Sequence, residues 1–357
     1  MKGSEMKPTV VVVGAGVGGL AATAALHARE VDVCVLEARD RTGGRLLSVP
    51  TSRGRRLDLG ATWFWPNEKL INALVSDAGL AALTQHLDGD MMYQAGTVQR
   101  VPGNQLDVES GRLVNGMQSI TDALAAACAP DSIRLGQRVD AIHGDNDEGS
   151  LTVLTETQVI DAAHVVLSVP PALAVRTIDF SGGLDHSVAG IAAETPVWMG
   201  ATIKVVAVYE RAFWRESGLA GAAFSHDGPM REIHDMSGPD GHPAALFGFC
   251  SIPPGATAPT EDDVRHQLEA LFGPEGSNPT AVYVQDWRAE EHTSNGATLA
   301  LQNYATYGHG EFQQPAMDGR LHWASTETSP IAPGHIEGAL VAGARAAEAI
   351  LSDLRSP

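Results

Sequence analysis

The sequence predicts an α/β (α+β) fold that opens with a parallel sheet, and three observations carry this. Val10-Val11-Val12-Val13 is an unbroken β-branched run, the pattern of a strand buried on both faces. It runs directly into Gly14-Ala15-Gly16-Val17-Gly18-Gly19, and an Ala- and Leu-rich helix follows to about Arg29. Val31 to Leu36 reads as a second strand ending at Glu37, completing a βαβ unit of the expected length.

Further elements follow in order. Glu68 to Leu80 has helical spacing (Leu70, Ile71, Leu74, Val75) and stops at Gly79. Residues 86–111 are turn-rich, with only short strand-like pieces, and Gln118 to Ala127 reads as a helix. Ile133 to Ile142, Leu151 to Thr157 and His164 to Val169 read as strands, the last stopped by Pro170-Pro171. Ala201 to Tyr209 is a strand with Lys204 inside it, and Ala244 to Cys250 is another. Glu261 to Phe272 is a helix capped by Thr260, with three acids in its first turn to complement the helix dipole. Leu321 to Ala324 is a short strand, and Ile336 to Leu354 a final Ala-rich helix. Residues 1–7 read as a loose leader, and there are no repeats.

At 357 residues, 44% hydrophobic and 19% charged, the chain can bury a sizeable core. Its net charge of −19 disfavours nucleic acid and anionic membrane as partners. Cys34, Cys128 and Cys250 are far apart and form no CxxC pair, so neither a disulfide framework nor a metal site is expected. The run Val10 to Leu26 is broken by four glycines and is neither a membrane span nor a signal peptide. A cytoplasmic protein is expected.

Gly14-x-Gly16-x-x-Gly19 has a physical task. The first glycine permits the tight turn, the second lets backbone approach a pyrophosphate, and the third lets helix and strand pack closely. Glu37, ending the next strand, suits ribose hydroxyls and would repel a 2′-phosphate, which disfavours NADP. The strand-turn-helix context argues against a glycine-rich turn with no ligand. Directly afterwards comes Glu37-Ala38-Arg39-Asp40-Arg41-Thr42-Gly43-Gly44-Arg45, where Gly43-Gly44 allows backbone near phosphate and Arg45 can neutralise it.

This run resembles the E-x-x-x-R-x-G-G-R signature of the flavin amine oxidase family, which includes monoamine, polyamine and L-amino-acid oxidases. Asp58-Leu59-Gly60-Ala61-Thr62-Trp63 resembles the family's D-x-G-G/A-x-W/Y segment beside the isoalloxazine ring. Trp323-Ala324-Ser325-Thr326-Glu327-Thr328 resembles F-A-G-T/E-E-T, in which Glu327 would bind the ribityl chain. Pro333-Gly334-His335-Ile336-Glu337-Gly338-Ala339 resembles G-Y-x-E-G-A, whose helix N-terminus faces the flavin pyrimidine oxygen. The resemblance covers most of the chain. It implies non-covalent FAD in a glutathione-reductase-like domain. The contacts it implies are Gly14, Gly16, Gly18, Gly19, Glu37, Ala38, Arg39, Gly43, Gly44, Arg45, Gly60, Ala61, Thr62, Trp63, Val139, Trp287, Glu327, His335 and Ile336.

Lys204 is the most informative single residue. Inside Ile203-Lys204-Val205-Val206-Ala207-Val208 a lysine is costly to bury without a partner, although alternation also permits an exposed face of an edge strand. Pro196 to Lys204 resembles the family strand whose lysine holds a water near flavin N5. Water positioning for flavin oxidation and general-base help to substrate both remain open for it.

The pattern also departs from the family. Two aromatic walls should guide the amine, yet one position holds His335 in place of Tyr. Counted without a gap, the other falls at Ala297; with a gap, Tyr304 takes it. The ungapped count is preferred, so the aromatic cage is expected to be absent. The substrate pocket is then Trp63, Lys204, His335 and either Ala297 or Tyr304. Lys204 and His335 are the candidate catalytic residues, with acid–base work and simple space-filling both open for His335. A large helical segment of the family is replaced by residues 86–111 alone, which is compatible with an open site or a homodimer.

The resulting expectation is an FAD domain from residues 8–85, 112–190 and 290–355, and a substrate domain from 86–111 and 191–289. An FAD-dependent amine oxidase is expected, passing hydride from a C–N bond to flavin N5. Oxygen then reoxidises the flavin, giving imine and hydrogen peroxide. Its partners would be a small-molecule amine and oxygen. A dehydrogenase or desaturase acting on C–C bonds of a specialised metabolite is the alternative. A non-catalytic flavin-binding partner protein is a third class, against which the intact Lys204 and cofactor motifs argue.

Overall fold

The computed structural model describes residues 9–51, 54–145, 149–181, 183–250 and 255–355, and the leader expected over residues 1–7 lies outside them. Val10–Val13 is the middle strand of a five-stranded parallel sheet. The order is Leu321–Trp323, His164–Leu167, Val10–Val13, Val33–Leu36, Ile133–Arg134. Alternate side chains of a strand point to opposite faces. Val10 and Val12 enter one core with Leu20 and Ile350, whereas Val11 and Val13 enter a second with Ile142 and Phe180. Burial on both faces is why the run shows no alternation.

The helix Val17–His27 lies against the closing helix Ile336–Asp353 at backbone contact distance. A Cβ on Gly18 would sit 2.0 Å from the Ala324 carbonyl oxygen, and one on Gly343 would sit 2.3 Å from that of Gly18. These glycines lock the start of the first helix between the last strand and the last helix.

Residues 133–142, read as one strand, are two. Ile133–Arg134 joins the parallel sheet, and Val139–Asp145 joins an antiparallel sheet with Ser150–Thr155 and Val159–Ala162. Gly136, at φ +66°, turns the chain between them. Pro170-Pro171 does end a strand, but Pro171 also opens a helix, Pro171–Thr177, where its missing N–H costs nothing.

The second large sheet has seven strands, ordered Ala281–Asp286, Ile203–Tyr209, Ala244–Cys250, Met230–Asp235, Leu219–Ser225, Asp90–Ala95, Thr97–Val101. The segment 86–111 is therefore not merely turns. It carries a hairpin that turns at Gly96 and runs its first strand parallel to Leu219–Ser225. The lysine strand Ile203–Tyr209 is interior, hydrogen-bonded on both sides, which removes the edge-strand alternative for Lys204. Helix Glu261–Phe272 forms as expected. Thr260 accepts from the Asp263 N–H while Asp263 accepts from that of Thr260, a reciprocal cap.

Gly343→Ala forces a methyl into the Gly18 backbone and is expected to cost about 1–3 kcal/mol. Gly190, helical and exposed with nothing within 4 Å of a built Cβ, is the control, and Gly190→Ala should gain roughly 0.5–1 kcal/mol. Thermal unfolding of the two variants beside the parent checks both signs.

Candidate functional site

A cavity of about 640 Å³ runs from the glycine turn to the closing helix. At one end lie Gly14, Gly16 and Gly18, with Glu37, Ala38, Arg39, Gly43, Gly44 and Val139 around them. Gly14 adopts φ +101°, and a Cβ on Gly16 would meet nothing within 4 Å, so the backbone there lies open to the cavity. Gly19 is not on the wall; its role is packing, with a built Cβ 2.0 Å from the Gly14 carbonyl oxygen.

The buried Glu37 carboxylate accepts from the Ala15 N–H (2.7 Å) and the Arg39 N–H (2.9 Å), which fixes it facing the cavity with lone pairs to spare. Arg39 reaches Glu290 (3.1 Å) and Thr293 (2.9 Å). Arg45 lines the cavity and makes a two-pronged pair with the wholly buried Glu327. Glu327 itself is turned to Arg45 and stands behind it rather than on the cavity wall.

Ser325 Oγ is buried on the cavity wall with no partner in the protein. An orphaned hydroxyl beside an open glycine backbone and a paired arginine is what a bound, polar, extended cofactor would satisfy. The residues present fit FAD. None of Cys34, Cys128 and Cys250 lines the cavity.

Farther along the wall are Ala61 and Thr62. Gly60 lies behind them, 2.1 Å from the Arg45 carbonyl oxygen at a built Cβ. Trp287 is also behind; it is buried and donates Nε1–H to the Leu59 carbonyl at 2.9 Å, buttressing the loop rather than lining the site. Lys204 reaches this loop from the second sheet. It is 1% exposed, donates to the Gly60 carbonyl at 2.8 Å and to the Thr62 hydroxyl, and lies 4.3 Å from the centre of the Phe247 ring. It therefore meets the cavity through Thr62 and not directly.

Burial, with a smaller push from Arg112, outweighs the opposing pull of Asp58 and takes Lys204 down from 10.5 to about 7. Asp58 is moved up by its own burial, against Lys204 and hydrogen bonds from Ser48 (2.6 Å) and the Met117 N–H (2.8 Å). Both shifts favour the neutral forms.

The far end is aromatic: Trp63, Trp65, Trp198, Phe249, Tyr304 and Tyr307, with His335 and Ile336. Aromatic side chains therefore line this end, although position 335 itself carries an imidazole. Ala297 is exposed and off the wall, whereas Tyr304 is on it, 5.3 Å from Tyr307 between ring centres. The chain reaches Tyr304 through a loop and a single 3-10 turn, Tyr304–Thr306, so counting from Trp287 without a gap lands too early. His335 Nδ1 lies 2.7 Å from Glu68 Oε1, a contact with no signal in the sequence because Glu68 reads as an ordinary helix start. Trp65, Trp198, Tyr307 and Phe249 are equally unforeseen on this wall. Trp65 alone carried a hint, two residues beyond Trp63 in the same loop.

Among the described residues no helix is long and apolar enough to cross a membrane, and no cluster of three His, Cys, Asp or Glu could hold a metal ion.

Comparison with known proteins places this geometry. The family model for flavin containing amine oxidoreductases matches residues 103–351, and one for an NAD(P)-binding Rossmann-like domain matches residues 12–78. Putrescine oxidase of Kocuria rosea is 26% identical over 98% of this chain and 96% of its own. That alignment spans 466 residues, more than the 357 present here, so the relative carries insertions this chain lacks. The flavin-containing amine oxidase B of Sus scrofa is 24% identical over 97% of this chain and 86% of its own. Cyclohexylamine oxidase from Brevibacterium oxydans shares the fold, with a TM-score of 0.86 at 24% identity over 98% of this chain and 100% of its own. With the family model spanning more than half of its residues, this chain belongs to the flavin-containing amine oxidoreductase family and is an FAD-dependent oxidoreductase of the amine oxidase type.

Proposed function

We propose that the glycine end of the cavity holds FAD and that the aromatic end receives the C–N bond of a small amine. The observation that carries this is the continuity of one cavity from Gly16 and Glu37 through Arg45 and Thr62 to Trp198, Tyr304 and Tyr307. When bound, FAD would supply the electron-accepting chemistry, for a hydride equivalent from the C–H bond beside the amine nitrogen as C–N becomes C=N, and for the reduction of oxygen. Gly14, Gly16 and Gly18 would bring backbone to its phosphates, Glu37 would bind ribose, and Arg45 would carry positive charge beside it.

The remaining work belongs to side chains. Trp198, Phe249, Tyr304 and Tyr307 exclude water and orient an apolar substituent. The acidic chain raises the local concentration of a cationic amine. Lys204, held by Gly60 and Thr62, can exchange a proton with the cavity through the Thr62 hydroxyl near neutral pH. We assign residues 8–85, 112–190 and 290–355 to the FAD-binding domain and 86–111 and 191–289 to the substrate domain. The aromatic wall supports the C–N reading over oxidation of a C–C bond, while the short segment 86–111 that also suits the C–C reading remains.

The test is an anaerobic visible spectrum of the purified holoenzyme with putrescine, cyclohexylamine, 2-phenylethylamine and a set of amino acids. Bleaching of the flavin bands by an amine is expected, and bands that none of them bleaches would overturn the reading. Arg45→Ala leaves Glu327 buried without its cation, a loss of about 3–5 kcal/mol, and should release FAD on gel filtration. Glu37→Ala should weaken retention in the same assay.

Lys204→Met should leave FAD bound but slow turnover. It also has a stability signature. Between about 7 and 10.5 the unfolded chain holds the Lys204 proton and the folded one does not, so parent stability rises with pH across that window. The penalty of burial is complete below about pH 7. The melting temperature of Lys204→Met minus that of the parent should therefore be largest near pH 7 and shrink toward pH 9.5, a window taken from the Lys204 shift.

A further inference from the structure

We propose that Glu68 and His335 form a proton-accepting dyad at the aromatic end of the cavity. Glu68 fixes the imidazole, and His335 Nε2 takes a proton from the ammonium form of the substrate. This rests on the amine reading above and adds to it a positioning residue, Glu68, and a step.

His335 lies at the N-cap of the closing helix with its ring on the cavity wall. Its side chain is 43% exposed, whereas that of Glu68 is 5% exposed. Nδ1 and Glu68 Oε1 are 2.7 Å apart, and the second carboxylate oxygen accepts from the Trp65 N–H at 2.9 Å. Among the described residues no lysine or arginine pairs with Glu68, so the imidazole is the group that meets its charge. A carboxylate only accepts, so Nδ1 carries the hydrogen, and in the neutral ring Nε2 then holds a lone pair. The Trp65 ring covers one face of the imidazole, 4.7 Å between centres and tilted by 33°. The His335 carbonyl is pinned by the Thr326 hydroxyl at 2.7 Å. With Nδ1 committed to Glu68, Nε2 is the ring nitrogen left free to accept a proton on a residue that lines the cavity.

The chemistry needs such a group. An alkylamine reaches the site as an ammonium ion, with a pKa of about 10 by analogy with lysine. Hydride can leave carbon only when the nitrogen lone pair is free to form the imine. In the proposed step one N–H bond of the ammonium breaks, its electron pair stays on nitrogen, and the proton bonds Nε2. The products are neutral amine and an imidazolium paired with the Glu68 carboxylate; net charge is unchanged and no electrons are transferred. A buried carboxylate behind an imidazole stabilises the imidazolium that forms.

Several other ionisable groups near the cavity are paired elsewhere or held protonated. Glu337, in the first turn of the same helix, accepts from the Leu70 and Ile71 N–H groups. Arg45 and Glu327 pair with each other, and burial beside Glu327 pushes the Tyr307 hydroxyl up, keeping it protonated. Lys204 stands behind Thr62. Glu291 and His292, also on the wall, pair with each other at 3.5 Å.

The experiment measures the apparent second-order rate constant for anaerobic flavin reduction between pH 6.5 and 10, using whichever of putrescine, cyclohexylamine and 2-phenylethylamine bleaches the parent fastest. With the dyad, the parent keeps its rate below the pKa of the amine. A parent profile that falls tenfold per pH unit all the way down would overturn the proposal without any variant. His335→Asn should lose up to about 10³-fold at pH 7 and approach the parent near pH 10, where about half of the amine is already neutral. Glu68→Gln should lose less with the same pH trend and unchanged flavin content, and Glu68→Asp should recover part of the loss. Losses by one constant factor at every pH, or no loss, would reduce the pair to packing. A holoenzyme that no amine bleaches instead removes the functional reading itself, and with it the need for a base.

Discussion

Backbone resting on backbone at glycine is the constraint on which this molecule depends. Gly18 meets the Ala324 carbonyl, Gly19 meets that of Gly14, and Gly343 meets that of Gly18, each closer than any β-carbon permits. These contacts draw together three stretches remote in the chain: the first turn, the end of strand Leu321–Trp323 and the closing helix. The same stretches supply Gly16, Ser325, Thr326 and Ile336 to the cavity wall. The long cavity is thus a by-product of how closely two helices and a strand can approach when side chains are absent.

Charge burial is the second constraint. Each buried carboxylate around the site is met inside the protein: Glu327 by Arg45, Glu37 by two backbone N–H groups, Glu337 by two more, and Glu68 by an imidazole and an N–H. Unmet, any of them would cost several kcal/mol. The Lys204 and Asp58 pair solves the same problem by a different route, with both groups shifted toward neutrality. A site built this way holds its ionisable groups in fixed orientations without help from solvent.

How much was legible followed from the range of each signal. The first βαβ unit was readable because its strand, turn and helix are contiguous and both faces of the strand are buried. The family motifs located the glycine end residue by residue. Lys204 was ambiguous in sequence because alternation fits an exposed face equally well; only the two neighbouring strands decide it. The hairpin at 90–101 was missed because its strands are mostly solvated and lack an apolar face. Strand Leu219–Ser225 was missed for the opposite reason: Ala- and Gly-rich and buried throughout, it has no period to read. The choice between Ala297 and Tyr304 turned on loop length, and the meeting of Glu68 with His335 joins residues 267 apart, beyond any local pattern.

The strand order of the parallel sheet also has a consequence for synthesis. Val10–Val13 is made before its sheet neighbours, and His164–Leu167 is not hydrogen-bonded on its outer side until Leu321–Trp323 emerges. The helix that covers Gly18 arrives later still. A growing chain on the ribosome therefore carries an open parallel-sheet edge over the roughly 150 residues between these two strands, made at about 5–20 residues per second. Its acidic surface keeps such unfinished chains apart by mutual repulsion. Cofactor capture becomes an event that follows synthesis of the closing helix, because the chamber that receives it lacks the wall at His335, Ile336 and Ala339 before then.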